Sequence, residues 1–365
     1  MFLHRTFVNR AQQNSSQFTI LSSLYRERLL LKQGQIKRIA IIRSLPGLGD
    51  ILCTVPAFRA LRGAFPQAEI VLIGLKVVKP LIQRFSHYID KMLEFPGYPG
   101  LPEIELKLPE IPIFLQMMQQ SNFDLALQMH GSGTITNPLT ALLGAKHSAG
   151  FFIPGQYCPS EKSFLPYLPH ESEVRRYLRL LQFLGVPDRG EHLEFNISEQ
   201  DEKDLYAIEE WQNISQQEYI CVHPGASTPS RCWDPEGFAA VADALAKQGL
   251  QIVLTGSKSE IELTQKVAAL MKYPSINLAG KTTLGALATL LKNSRLLVSN
   301  DTGVSHLSSA LQVKSVVIFT YSDPERWAPL DRDRHRIVCQ NLNAVPEPVI
   351  SQAKSLLEQK DVYVA

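Results

Sequence analysis

From Lys37 onward, short β-branched runs alternate with longer amphipathic stretches, and this alternation constrains the fold more than any other feature of the chain. Parallel strands can be joined only by a long crossover, usually a helix, so repeating the unit builds a parallel sheet with helices on its faces. The first series predicts strands at Arg38–Arg43, Glu69–Ile73 and Asp124–Met129, with helices at Ile51–Phe65, closed by Pro66, and at Lys79–Phe85. Residues 96–112 hold five prolines and read as an irregular surface excursion. A second series predicts strands at Tyr219–Val222, Gln251–Leu254, Ser275–Leu278, Leu296–Ser299 and Ser315–Phe319, with helices near 235–248, 258–271, 283–292 and 303–311. Five strands with helices between them make a doubly wound domain, and such sheets collect ligands at the carboxyl ends of their strands.

At 365 residues the chain is long enough for two such domains, each with its own core. The boundaries expected are a basic extension over 1–36, an amino-terminal domain over 37–185, a carboxyl-terminal domain over 186–345, and a last helix over 346–365. Lys and Arg number 37 against 35 Asp and Glu, a net charge of +2, which argues against a nucleic-acid binder. The balance is uneven: residues 1–40 carry seven basic side chains and Glu27, a local +6 that leaves −4 for the rest. Five scattered cysteines with no CxxC pair suit reduced thiols in the cytoplasm. The first 20 residues are too polar for a signal sequence, and no run approaches the roughly 18 apolar residues of a spanning helix. Leu29–Leu31 beside Arg26 and Arg28 leave two readings open, a solvated basic arm and peripheral contact with the inner membrane face.

Three segments carry chemistry, each between a strand and a helix. In Pro46-Gly47-Leu48-Gly49-Asp50 the glycines permit a sharp turn, and Asp50 starts a helix, either as a plain cap or as an ionised carboxylate able to take a proton from a hydroxyl. In His223-Pro224-Gly225-Ala226-Ser227, followed by Thr228 and Arg231, small and hydroxyl residues offer donors to an anion, and the arginine a bidentate clamp; a Pro-Gly turn with a surface arginine is the plainer alternative. In Ser299-Asn300-Asp301-Thr302-Gly303 the helix that follows is capped by Asp301 or Thr302, or its free N–H groups receive a phosphate with His306 one turn in. Two strand-end nests for anions in one domain favour the functional reading of both.

Other matches fall short. Gly280-Lys281-Thr282 lacks the glycine at 275 that a phosphate-cradling P-loop needs. Leu52 stands where a dinucleotide fingerprint needs its third glycine, but Glu69 follows about 20 residues on, so that reading is weakened rather than excluded. Asp331-Arg332-Asp333 lies among arginines and reads as a solvated charge cluster. Neither a zinc signature nor a G-x-S-x-G elbow is present.

Assembled, these residues resemble glycosyltransferase family 9, the heptosyltransferase type. The anchors are RSLPGLGDILCTVPAFRALRGAFPQAEI (43–70), HPGAS with RCWDPEGF (223–227 and 231–238), LTGSKSEIEL (254–263), LAGKTTLGALATLL (278–291) and SNDTGVSHLSSAL (299–311). The resemblance runs from about Arg38 to about Leu330. It implies an α/β chain of GT-B architecture, two doubly wound Rossmann-like domains facing across a cleft, with the last helix packing back on the amino-terminal domain. By the same resemblance Asp50 is the general base. Ser227, Thr228 and Arg231 contact the donor phosphates, Arg231 standing where the family usually has Lys. Glu260 reaches the ribose, the 282–284 segment beginning at Thr282 lies against the base, Asp301 holds sugar hydroxyls, and Thr302, Gly303 and His306 hold the diphosphate. Gly49 and His130, the latter opening a Gly-rich turn, fall on the acceptor side.

The expectation is a cytoplasmic, inverting, metal-independent transferase. It would use a nucleotide-diphospho-sugar, ADP-linked, as co-substrate with no cofactor, and a cell-envelope glycan or glycolipid as acceptor. An inverting displacement needs one base and a fixed positive field, and Arg231 with the helix start at Gly303 would supply the field in place of a metal. Two rivals stand beside it: a nucleotide-dependent oxidoreductase, and a non-catalytic sugar-nucleotide-binding protein on a related fold.

Overall fold

The computed structural model describes residues 36–215, 218–340 and 345–359. The basic extension expected over 1–36 lies, but for Ile36, outside the described residues, and so does any contact of Leu29–Leu31 with lipid.

The chain divides into two compact units. The first comprises the residues up to Gly47 and Thr54–Glu191; the second comprises Leu48–Cys53 and the chain from His192. Six strands form the first sheet: β1 (Arg38–Ile42), β2 (Glu69–Gly74), β3 (Lys91–Glu94), β4 (Leu125–Gln128), β5 (His147–Phe152) and β6 (Phe164–Pro166). All pair in parallel, in the order β3-β2-β1-β4-β5-β6. The second sheet holds β7 (Tyr219–His223), β8 (Gln251–Leu254), β9 (Ser275–Asn277), β10 (Leu296–Asn300), β11 (Ser315–Phe319) and β12 (His335–Cys339), in the order β12-β11-β10-β7-β8-β9. Renumbered within its own unit, that order is the same as the first. The topology reverses between β1 and β4 in one sheet and between β7 and β10 in the other, and at such switch points a crevice opens at the carboxyl ends of the strands.

The central strands form because their residues are apolar on both faces, as a sheet covered by helices on both sides requires. Ile39 to Ile42 are fully buried, as are Ile220 to Val222 and Leu296 to Val298. In the second unit, Phe238, Val241 and Leu245 of the Pro235–Ala246 helix close one face against Ile220, Ile252 and Val298. Asp234 caps that helix by accepting from Glu236 N–H, and Thr283 caps the Leu284–Lys292 helix by accepting from Ala286 N–H.

Four points differ from the sequence expectation. The second sheet has six strands rather than five, because β12 reads HRIVC and its polar start, His335-Arg336, hides an edge strand. In the first sheet β3, β5 and β6 likewise lack a β-branched run. The single helix expected over Ile51–Phe65 is two, Leu48–Leu52 and Val55–Ala64, broken at Cys53-Thr54. Pro56 has no N–H to donate to the carbonyl of Leu52, so one helix cannot run through. Lastly, the apolar residues Val349, Ala353 and Leu356 of the Glu347–Glu358 helix are taken up by the second unit, fully buried in its core.

Candidate functional site

In the second unit the loops leaving β7, β8, β10 and β11 are tied together at the carboxyl edge of the sheet. Asn300, the last residue of β10, donates to Pro224 O at 2.7 Å and accepts from Trp233 N–H at 2.9 Å, so one buried side chain fixes both ends of the 224–233 loop. Thr320, after β11, donates to Ser230 O at 3.0 Å. Asp301 is buried, and its carboxylate accepts from the Ser322 hydroxyl. Glu260 closes a capping box by accepting from Ser257 N–H at 2.6 Å, and its carboxylate lies over Gly225. His223, beneath, meets Thr255 Oγ1 through Nδ1 at 3.0 Å and has Glu260 at 4.0 Å from Nε2. Burial holds His223 below its ordinary range, against the pull of Glu260, so this is a neutral imidazole beside a carboxylate rather than an ion pair.

Above this base the donors face outward. Ser227 and Thr228 are exposed, and Thr228 Oγ1 lies 3.2 Å from Ser230 Oγ. Arg231 closes a short 3-10 turn, Pro229–Arg231, its N–H donating to Thr228 O at 3.0 Å; it is half-buried, and its guanidinium has no hydrogen-bond or ion-pair partner among the described residues. Thr302 is the N-cap of the Gly303–Ala310 helix, with extended backbone and no side-chain bond to the first turn. The first N–H groups of that helix are therefore left for another acceptor, which suits an anion. Thr282 lies at the start of the Leu284–Lys292 helix, half-buried.

The Leu48–Leu52 helix belongs to this unit and packs on the Gly303–Ala310 helix. The contact depends on two glycines. A Cβ at Gly49 would fall 2.6 Å from His306 Cδ2, and one at Gly303 would fall 2.8 Å from Leu48 Cβ. Atoms at those distances overlap, so the glycines of the two motifs are each other's requirement. Asp50, in the first turn of its helix, is half-buried next to this crossing. His306 is buried with its ring edge-on to Trp327, at 6.1 Å between centroids, and its Nδ1 is 3.5 Å from Cys53 Sγ.

In the first unit, polar groups gather where β1 and β4 end. Arg43 is fully buried, donates to Met129 O at 2.9 Å and to the Tyr177 hydroxyl, and lies 3.9 Å from Glu173. Tyr177 donates to Glu173 Oε2 at 2.6 Å, and Arg176 to Glu173 Oε1 at 2.7 Å. Beside them His130 is held down to about 4 by burial and by the Arg43 charge. Its Nδ1 faces the N–H and hydroxyl of Ser44 at 3.3 and 2.9 Å, so Nε2 carries the proton and donates to Glu103 at 3.2 Å. Glu103 comes from the proline-rich excursion, which is thereby pinned to the strand edge. In the turn after His130, Gly133 has φ +93°, and a Cβ there would strike Phe151 O, so no other residue fits.

Of the residues singled out in the sequence, the fold gathers Ser227, Thr228, Arg231, Glu260, Asp301, Thr302, Gly303 and His306 at the carboxyl edge of one sheet, with Gly49 against His306 and Asp50 next after it in the same short helix. His130 stands apart, in the first unit. Asn300 was missed, although it lies within a motif already marked; nothing local signals that its amide reaches back to residue 224. Lys281 pairs with the exposed Glu210, and Asp331 accepts from Asp333 and Arg334 N–H in a turn of its own. Among the described residues no three His, Cys, Asp or Glu side chains gather as a metal-holding group, and no helix is long and apolar enough to cross a membrane.

Comparison with known proteins adds the following. A family model described as glycosyltransferase family 9 (heptosyltransferase) matches residues 113–356, more than half of the chain. The lipopolysaccharide core heptosyltransferase OpsX of Haemophilus influenzae is 24% identical over 307 residues, 80% of this chain and 82% of that protein. Lipopolysaccharide heptosyltransferase 3 of Escherichia coli is 23% identical over 294 residues, 77% of this chain and 82% of its own. Among solved structures, a family 9 glycosyl transferase from Veillonella parvula superposes with a TM-score of 0.72 at 22% identity, covering 88% of this chain and 97% of the other. The ADP-heptose LPS heptosyltransferase II of E. coli superposes with a TM-score of 0.66 at 21% identity, covering 88% and 98%. The fold is thus the two-domain α/β fold of GT-B glycosyltransferases.

Proposed function

We propose that this chain, which belongs to glycosyltransferase family 9 and is a glycosyltransferase, moves a heptose or closely related sugar from an ADP-linked nucleotide-diphospho-sugar to a hydroxyl of the lipopolysaccharide core. Family membership displaces the oxidoreductase and the non-catalytic readings. The choice of donor and acceptor is supported by the names of its relatives, two of them lipopolysaccharide heptosyltransferases and a third, of known structure, named an ADP-heptose LPS heptosyltransferase. An acceptor of that kind is met at the cytoplasmic face of the inner membrane, where the protein would work peripherally.

The observation that carries the reading is the meeting, within one unit, of the helix bearing Asp50 and the uncapped start of the helix at Gly303. A carboxylate is held near a place that favours a diphosphate. In the inverting step, the acceptor hydroxyl gives its proton to Asp50 while its oxygen attacks the anomeric carbon. The bond from that carbon to the diphosphate breaks, and its electron pair leaves with the nucleoside diphosphate. Ser227, Thr228, Arg231, Thr302 and Gly303 receive the charge, Asp301 holds sugar hydroxyls, Glu260 the ribose, and Thr282 lies against the base. Fixed donors aimed at developing charge do the work that a divalent ion does elsewhere, so no metal is needed. A diphosphate contact from His306 has less support, because the ring is packed between Gly49 and Trp327.

The test is turnover of ADP-heptose with a lipopolysaccharide-core acceptor, in the presence and absence of EDTA. Asp50→Ala should lower kcat by about 10²–10⁴-fold, the usual worth of a positioned base. EDTA should leave the rate unchanged, and the product anomer, read by NMR, should be inverted. Full activity in Asp50→Ala removes the base; loss in EDTA restored by magnesium removes metal independence.

A further inference from the structure

The His306 ring meets the Leu48–Cys53 segment at two points. Cδ2 lies against the Cα of Gly49, one residue before Asp50, and Nδ1 lies 3.5 Å from Cys53, one turn beyond. Trp327 closes the ring from another side. The contact is reciprocal: Leu48 lies against Gly303, three residues before His306, with Gly49 N 3.4 Å from the position of a Cβ there. A five-residue helix is too short to hold itself, because a first turn fixes several residues for one hydrogen bond. Its position must come from what it packs on.

We propose that His306 is a positioning residue for Asp50. Its ring fills the notch at Gly49 and fixes the base-bearing helix to the unit that carries the Gly303 helix start. This rests on the reading of Asp50 as the base. It differs from the role the sequence suggested for His306, since it makes the ring a spacer between backbone segments rather than a ligand of the diphosphate. It also accounts for the LGD glycine: any side chain at 49 would stand where the imidazole is. Base and diphosphate site then keep their separation as parts of one rigid body. The chain leaves the first unit after Gly47 and returns to it at Thr54, contributing only those six residues.

Three variants test this: Gly49→Ala, His306→Ala and the double variant, each measured for kcat and donor KM, for affinity to ADP, and for unfolding by urea. Misplacing a reacting group by about 1 Å costs on the order of 10²-fold, so Gly49→Ala should lose about that factor in kcat with donor KM and ADP affinity within about twofold. Removing the ring relieves the clash, so the double variant should be no slower than His306→Ala alone. Tenfold weaker ADP binding in His306→Ala with kcat retained makes it a ligand and overturns the proposal, as do losses that simply multiply. Should the wild-type chain turn over no nucleotide sugar, it is the proposed function that fails. The clasp is then judged on the urea cycle, where additive losses overturn it and non-additive losses uphold the contact.

Discussion

The carboxylate of Glu260 occupies the volume that a side chain at residue 225 would fill. The glycine of the HPGAS segment is therefore explained by a residue 35 positions away, on the loop after the neighbouring strand, and not by its own backbone angles. Gly225→Ala should push Glu260 off its Ser257 cap and weaken ADP binding by about tenfold, near 1.4 kcal/mol. Calorimetry on Gly225→Ala, Glu260→Ala and the pair should show no further loss in the pair than in Glu260→Ala. Unchanged affinity in all three would remove Glu260 from the donor site.

Arg231 stands half-buried at the end of its turn, its guanidinium without a partner among the described residues, as a group kept for a ligand would. A hydrogen bond to a charged group contributes about 1.5–3 kcal/mol, so Arg231→Ala should raise the Kd for ADP by roughly 10–100-fold. Arg231→Lys keeps the charge but loses the planar fork and should recover only part. Equal binding by all three proteins counts against the clamp.

Glu173 is buried against Arg43, Arg176 and Tyr177, and a second acid, Glu171, lies 3.9 Å from Arg176. Removing one member of a buried ionic set leaves uncompensated charge and costs about 3–5 kcal/mol. Glu173→Ala should lose that much in urea unfolding, and Tyr177→Phe much less. A loss under about 1 kcal/mol in Glu173→Ala would mean that the guanidinium groups find water.

His130 and His335 are both buried and held down to about 4, from an ordinary 6.5, chiefly by desolvation of the charged ring. Between those values the unfolded chain binds more protons than the folded one, so stability rises with pH across the window and is lost as pH falls from 6.5 toward 4. Each ring contributes on the order of 3 kcal/mol at the full shift. His335→Asn, which keeps a polar contact with Ser315, should flatten the slope of unfolding free energy against pH by about one proton. An unchanged slope would place the titration elsewhere.

Much of the fold was legible because the central strands carry their signal locally. RIAII, EIVLIG, YICVH and SVVIF are buried on both faces, and no helix or loop has use for such runs. The edge strands KMLE and HRIVC were not legible, since an edge strand is half-wet and forms only because a neighbour offers its ladder. The break at Cys53-Thr54 was legible in principle from Pro56. The last helix had a clear amphipathic pattern, but a pattern says only that one face is buried, not against what.

By itself the sequence determined that strands and helices alternate and that two small-residue turns and one acid follow strands, because these depend on neighbours within a few residues. Only the tertiary structure decided that Leu48–Cys53 joins the second unit, that His306 fills the notch at Gly49, and that Asn300 ties two loops together. Those contacts join residues 76 to 257 positions apart, and at such separations it is packing volume and the geometry of the sheet that select the partner, not any local preference of the chain.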